Sequence, residues 1–181
     1  MTKFYTRKGD DGTTGTLGKV RLPKYHPRIE AIGTLDETTS SLGLARALSH
    51  FPLINTILLE VQGDLYRLMA EVAAPLENAE KFRSINAEHV NWLEEQTDSL
   101  SKKVEVPREF ILPGETQGGG ALSVARAIAR RAERRVAELL ADDELENIEL
   151  LRYLNRLSSL CFVLELAENQ FEGKVTQMAK E

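Results

Sequence analysis

Residues 120–141 read GALSVARAIARRAERRVAELLA, and this stretch decides the fold. Leu122, Ala125, Ala129, Ala132, Val136 and Leu139 recur at 3-4-3-4-3 spacing, which places them on one stripe of a helix. The stripe is rich in small residues, so a neighbouring helix can come close. Downstream, Leu150, Leu154, Leu157, Cys161 and Leu164 repeat the same period. Working outward, helical patterning predicts helices over 28–49, 53–73, 86–103, 120–141 and 147–171, with Pro52 and Pro75 as stops. The stretch from Val104 to Gly119, with Pro107 and Pro113, reads as irregular, as do the glycines at 118–120 that lead into the helix. Before Pro27 there is no helical period. A short strand over Lys3–Thr6 is expected there, followed by a glycine-rich loop. Five helices with apolar seams predict an all-α fold, a five-helix bundle with a glycine-rich amino-terminal loop. One domain is expected over 1–181, with the loop in 1–27, the bundle in 28–171 and a polar tail in 172–181.

Composition narrows the chemistry. At 181 residues the chain can bury a core without staples. One cysteine, Cys161, excludes an intrachain disulfide framework and a cysteine-built zinc site. His26, His50 and His89 lack the spacing of a histidine metal site. No apolar run approaches the ~18 residues of a membrane helix. The formal charge of −5 argues against nucleic acid as the default partner. With no room for a signal peptide before the first motif, a cytoplasmic location is expected. Any chemistry must come from acidic and basic side chains, hydroxyls, backbone or a cofactor.

Four segments are candidates. Thr6 to Gly18 holds four glycines interleaved with Thr13, Thr14, Thr16, Arg7 and Lys8. Such a segment can curl its N–H groups around a polyphosphate, or it is a glycine-rich turn. It lacks the Gly-Lys-Ser/Thr of a Walker A loop, and Asp10-Asp11-Gly12 lacks the other ligands of a calcium loop. On the helix at 120–141, Arg131 and Arg135 point away from the alanine stripe, as a solvated face would. Arg126, Arg130 and Glu133 flank the stripe, where arginines must find carboxylates or phosphates. Asp36 sits at the border of the first helix's inward face, which is marked by Ile32, Leu35, Thr39 and Leu42. A carboxylate there calls for a cation such as Arg126 or Arg130, either to fix packing or to take part in catalysis. Phe110-Ile111-Leu112-Pro113-Gly114 either plugs the bundle end or walls a flat apolar ligand. Asn155 lies beside a seam, where it can read a nucleotide or satisfy a neighbour. Trp92, Met69 and Cys161 read most simply as core.

In order along the chain, five motifs resemble the PduO-type ATP:cob(I)alamin adenosyltransferases. They are Tyr5-Thr6-Arg7-x-Gly9-Asp10-x-Gly12; Pro23-Lys24-x-His26-Pro27-Arg28-x-Glu30-Ala31-x-Gly33-Thr34-x-Asp36-Glu37; Phe110-Ile111-Leu112-Pro113-Gly114; Ala125-Arg126-x-x-x-Arg130-Arg131-Ala132-Glu133-Arg134-Arg135; and Tyr153-Leu154-Asn155-Arg156-Leu157-Ser158. The resemblance implies a homotrimer with active sites between subunits. It also implies transfer of the 5′-deoxyadenosyl group of ATP to the cobalt of cob(I)alamin, with release of triphosphate. By matching position, Thr6, Arg7, Lys8, Gly9, Asp10, Thr14, Gly15 and Lys24 would hold ATP from the loop. Arg130, Glu133, Arg134 and Asn155 would hold it from the helices. Asp36 and Arg126 would pair across the subunit interface and, with Arg130 and Glu133, form the catalytic set. Phe110 would stand beside the corrin, and Mg²⁺ would be held mainly by the ATP phosphates. A corrinoid reductase and a cobalamin-dependent acceptor enzyme are the partners implied; nucleic acid and membrane are not. A cobalt nucleophile brought in by the substrate agrees with the scarcity of His and Cys.

The sequence departs from the family pattern at Glu115, at Ser123 (where the family has histidine), at Ser159 (where aspartate is common) and at Glu165 (where the family is small or basic). Two other classes remain open at this level, a nucleotide-sensing bundle without the corrinoid reaction and a structural helical oligomer. Retention of the loop cations together with the Arg126, Arg130 and Glu133 face argues against the second.

Overall fold

The structure is a computed structural model that describes residues 4–180. Its elements are β1 (Thr13–Gly15), β2 (Arg21–Pro23), α1 (Pro27–Leu48), α2 (Pro52–Ala73), α3 (Leu76–Ala79), α4 (Ala87–Ser101), α5 (Gln117–Ala141) and α6 (Ile148–Phe171). Five long helices match the five predicted, and α3 is one additional turn. The expected strand does not form over 4–6, and Lys3 lies outside the described residues. The strands fall further on, where β1 and β2 pair antiparallel with Thr14 opposite Leu22.

Helix α5 is the centre of the bundle. It packs against α1 on one side and α6 on the other, while α2 leans on α1 and α4 on α6. Every residue of the two predicted stripes is buried: Leu122, Ala125, Ala129, Ala132, Val136 and Leu139 on α5, and Leu150, Leu154, Leu157, Cys161 and Leu164 on α6. Trp92 and Met69 are partly buried against the same core. Burying these side chains is the main source of stability, since each large one gains roughly 1.5–3 kcal/mol on leaving water.

Proline opens α1 and α2, at Pro27 and Pro52; its fixed φ and missing N–H suit a first turn. His26 caps α1, its Nδ1 accepting from the Arg28 N–H. Asn86 caps α4, and the His89 ring returns a bond to the Asn86 backbone.

Two departures from the predicted boundaries position the site. First, α5 begins at Gln117, so Gly118, Gly119 and Gly120 are helical. Thr116 caps the helix, its Oγ1 accepting from the Gly119 N–H at 2.9 Å and donating to Asn169 Oδ1 at 2.9 Å. The glycines let this end of α5 lie directly on α6, because a Cβ on Gly118 would collide with Glu168 and one on Gly119 with Asn169. Second, the segment after α6 is no loose tail. Met178 bridges Ile111, the Ala179 N–H donates to the Phe110 carbonyl at 2.7 Å, and the Leu112 N–H donates to the Gln177 carbonyl at 2.8 Å.

Candidate functional site

The amino-terminal loop is a hairpin held in shape by its own polar groups. Asp11 Oδ1 accepts from the Thr13 N–H at 2.9 Å and from the Thr13 hydroxyl at 2.8 Å. Those two bonds, ahead of the nearby Arg21, hold the Asp11 carboxyl below its usual range. Gly12, at φ +79, makes the turn. Arg21 is the residue that sequence reasoning missed. Its Nη2 donates to the Lys8 carbonyl at 2.6 Å and its Nε to Thr13 Oγ1 at 2.9 Å, fastening the loop to β2. No local motif marks that contact, because it depends on the register of β1 against β2.

Thr6, Arg7, Lys8 and Asp10 are exposed on this hairpin, with Gly9 half-buried and Thr14 and Gly15 on β1. The Lys24 ammonium lies close to Gly9, 3.4 Å from where a Cβ would stand. Arg7 sits at φ +60, its guanidinium over the Tyr5 ring at 5.5 Å. The hairpin therefore gathers Arg7, Lys8 and Lys24 around glycine-rich backbone, a combination suited to an anion.

The base of the hairpin is anchored. The Leu17 N–H donates to the Ala73 carbonyl at 3.0 Å. Beneath it Arg28, only 3% exposed, donates to the carbonyls of Val72 at 2.8 Å and Ala74 at 2.9 Å. Its other nitrogen reaches the carbonyl and the carboxylate of Glu144, each at 2.6 Å. One buried guanidinium thus ties the start of α1 to the end of α2 and to the α5–α6 connection.

A second group lies on α5 and α6. Asn155 Nδ2 donates to Glu133 Oε1 at 2.8 Å, and its Oδ1 accepts from Arg156 at 2.6 Å. Arg134 donates to the Arg130 carbonyl at 2.9 Å. The Arg130 side chain is exposed and has no hydrogen-bond or ion-pair partner among the described residues. The structure thus brings Glu133 and Asn155 together and leaves the cationic heads of Arg130 and Arg134 on the surface.

Asp36 is exposed and bonds to neither Arg126 nor Arg130 of its own chain. Thr34 and Thr38 take the buried positions on that face instead. Its neighbour Glu37 pairs with Arg131, and Glu30 lies 3.9 Å from Arg135. These two arginines, predicted to face solvent alone, stitch α5 to α1.

A third group surrounds an apolar hollow. Phe110 is 88% exposed, while the next residue of its loop, Ile111, packs against the core. With Arg108, Glu109, Ile111, Arg126 and Phe162, Phe110 lines a cavity of about 320 Å³. Behind this wall lie Ser123, Cys161 and Glu165, all buried. Burial pushes the Cys161 thiol up to about 12, which makes it a hydrophobe and no nucleophile. Of the residues departing from the family pattern, Ser159 is exposed, Glu115 is half-buried in the loop before α5, and Ser123 and Glu165 face one another.

Among the described residues no hydrogen bond or ion pair joins the hairpin to α5 or to the Phe110 cavity. No group of three or more His, Cys, Asp or Glu among them could hold a metal ion. Among the described residues no helix is long and apolar enough to cross a membrane.

Fold and site together define an all-helical bundle protein with a cationic glycine-rich hairpin and a separate apolar cavity edged by arginine. Residues 4–168 match the family model for cobalamin adenosyltransferase, and the chain belongs to that family. It is 40% identical over 167 residues to the corrinoid adenosyltransferase PduO of Salmonella typhimurium, covering 92% of this chain and 49% of that protein. The chain therefore spans about half the length of that relative. It is 38% identical to the corrinoid adenosyltransferase of Bacillus subtilis, across 94% of this chain and 89% of the relative. Among solved structures, a phenylalanine-to-histidine variant of the PduO-type ATP:corrinoid adenosyltransferase from Lactobacillus reuteri, complexed with cobalamin and ATP, superposes with a TM-score of 0.91. That match has 35% identity and covers 99% of this chain and 97% of the other.

Proposed function

We propose that this chain acts as one corrinoid adenosyltransferase domain, transferring the 5′-deoxyadenosyl group of ATP to the cobalt of cob(I)alamin and releasing triphosphate. The observation that carries the reading is the division of labour along α5. Arg130 and Arg134 present cationic heads beside the Glu133–Asn155 pair, and one turn away Arg126 enters the apolar cavity walled by Phe110. A single rigid helix thus spaces an anion-binding end from a flat apolar wall.

The reacting nucleophile is the cobalt of the substrate, so the protein's tasks are alignment and neutralisation of the leaving triphosphate. Thr6, Arg7, Lys8, Gly9, Asp10, Thr14, Gly15 and Lys24 hold the nucleotide from the hairpin, and Arg130, Glu133, Arg134 and Asn155 from the bundle. Mg²⁺ enters with the nucleotide, held by its phosphates; the Asp11 carboxylate is already committed to Thr13. Phe110 and the apolar part of the cavity lining would stand beside the corrin and would exclude water and polar groups from that side of it.

Among the described residues the hairpin and α5 do not bond within one chain, and Asp36 and Arg126 do not meet there. Both facts support sites completed between copies, with Asp36 of one subunit facing Arg126 of the next in a homotrimer. The enzyme works in the cytoplasm, with a corrinoid reductase upstream and a cobalamin-dependent acceptor downstream.

Anaerobic mixing with ATP, Mg²⁺ and chemically reduced cobalamin tests the reading. The cob(I)alamin spectrum should give way to that of adenosylcobalamin. ATP binding without that conversion overturns the enzyme and favours a nucleotide sensor. Arg130→Ala should lose turnover with helicity and assembly unchanged, and Asp36→Asn should weaken assembly or corrinoid use. Wild-type rates in both would refute the site assignment.

A further inference from the structure

The geometry points to Glu165 as a positioning residue: from behind the cavity wall its charge orients the Arg126 guanidinium toward the corrinoid. This rests on the reading of the Phe110 cavity as the corrinoid side.

The placement follows from helix register. α5 and α6 run antiparallel, with Gly118 against Glu168 at one end and Glu133 bonded to Asn155 further along. Between those points the register sets Ser123 opposite Glu165, and Arg126 opposite Cys161 and Phe162. Arg126 and Phe162 indeed share the cavity lining. Glu165 is 0% exposed, and neither of its oxygens has a hydrogen-bond partner. On the facing helix the Arg126 Nε is also buried and unbonded.

A carboxylate removed from water without a direct partner is costly to keep charged unless a nearby opposite charge offsets the loss, and Arg126, half-buried on the facing helix, is such a charge. Burial raises the Glu165 carboxyl, while the Ser123 hydroxyl and the Arg126 charge pull it back down. An arginine at a cavity wall could otherwise swing its long side chain to solvent. A carboxylate sealed behind it holds the guanidinium inward, so that its remaining donors address the cavity. Ser123 belongs to the same device, since its small side chain lies beside the carboxylate and leaves it room.

The test measures KM for cob(I)alamin and for ATP separately, together with the equilibrium binding of cob(II)alamin in the presence of ATP. Glu165→Gln removes the charge at nearly constant volume. It should raise the corrinoid KM and Kd by about ten-fold while leaving the ATP KM within about two-fold. Glu165→Asp keeps the charge on a shorter arm and should stay nearer the wild-type corrinoid values. Equal corrinoid constants in wild type and Glu165→Gln overturn the proposal, as does a parallel change for both substrates with a lowered melting temperature. Identical behaviour of the Gln and Asp variants overturns the role of charge. If the wild type binds cob(II)alamin without adenosylating cob(I)alamin, the enzymatic reading fails while the binding comparison still decides the role of Glu165. A wild-type chain that binds no corrinoid refutes both.

Discussion

Alanine placed in turn at Gly118, Gly119 and Gly120 separates packing from helix propensity within one helical turn. At Gly118 the new Cβ overlaps the Glu168 carboxyl oxygen and stands 2.7 Å from its Cδ and 2.9 Å from its Cγ. Glu168 has little freedom to retreat, because it is buried and its Oε2 accepts from the Ser49 hydroxyl at 2.7 Å. At Gly119 the Cβ stands 2.5 Å from Asn169 Oδ1 and 2.7 Å from Thr116 Oγ1, the capping atom itself. At Gly120 its nearest neighbour is the Gly114 Cα at 3.7 Å, an ordinary contact.

Glycine to alanine in a helix gains up to about 1 kcal/mol, whereas overpacking costs about 1–3 kcal/mol. With the full gain offset, the balance predicts a loss of up to about 2 kcal/mol for Gly118→Ala. Gly119→Ala should lose somewhat more, since it also disturbs a cap worth about 1 kcal/mol. Gly120→Ala should gain up to about 1 kcal/mol. Urea unfolding at one fixed protein concentration reads all three, with assembly held constant. If Gly118→Ala and Gly120→Ala move the midpoint in the same direction by similar amounts, close approach to α6 is not what the glycines provide.

Arg28→Ala should cost about 2–4 kcal/mol by urea unfolding, because it strands the Val72 and Ala74 carbonyls; a loss below about 1 kcal/mol would refute its role in tying α1 to the end of α2. Tyr153→Phe removes the hydroxyl that donates to buried Asp64 at 3.0 Å and should cost about 1–3 kcal/mol, with no change in its pH dependence between about 6 and 9, since burial and then Asp64 push the phenol well above its usual range. Burial raises the Glu168 carboxyl, against the Ser49 bond. The folded state therefore binds this proton more tightly than the unfolded chain, and stability from this group falls as pH rises above the unfolded value near about 4.3. Glu168→Gln should accordingly raise the urea midpoint at about pH 8 and lose that advantage at about pH 4; an equal gain at both would contradict the assigned cause.

The helices were legible because their cause is local. Leu122 through Leu139 and Leu150 through Leu164 announce buried stripes by period alone, and the structure buries each of them. The hairpin was legible only as glycine-rich chain. Its shape depends on Arg21 reaching Lys8 and Thr13 across the β1–β2 register. Asp36 stayed ambiguous because a helix border looks the same whether the next surface belongs to the same chain or to another. The run at 118–120 misled, since glycine's poor helix propensity is overridden where two backbones must approach.

By itself the sequence determined the number and faces of the long helices and the cationic character of the amino-terminal segment. All of these reside in residue type and short-range period. Only the tertiary structure decided that the carboxyl-terminal segment would brace the Phe110 loop, that Arg28 would tie α1 to the end of α2, and that Ser123 and Glu165 would face one another behind Arg126. These contacts join residues far apart in the chain. Which side chains meet there is fixed by the register and spacing of packed helices, and those follow from how closely the glycine and alanine surfaces of α5 allow α6 to approach.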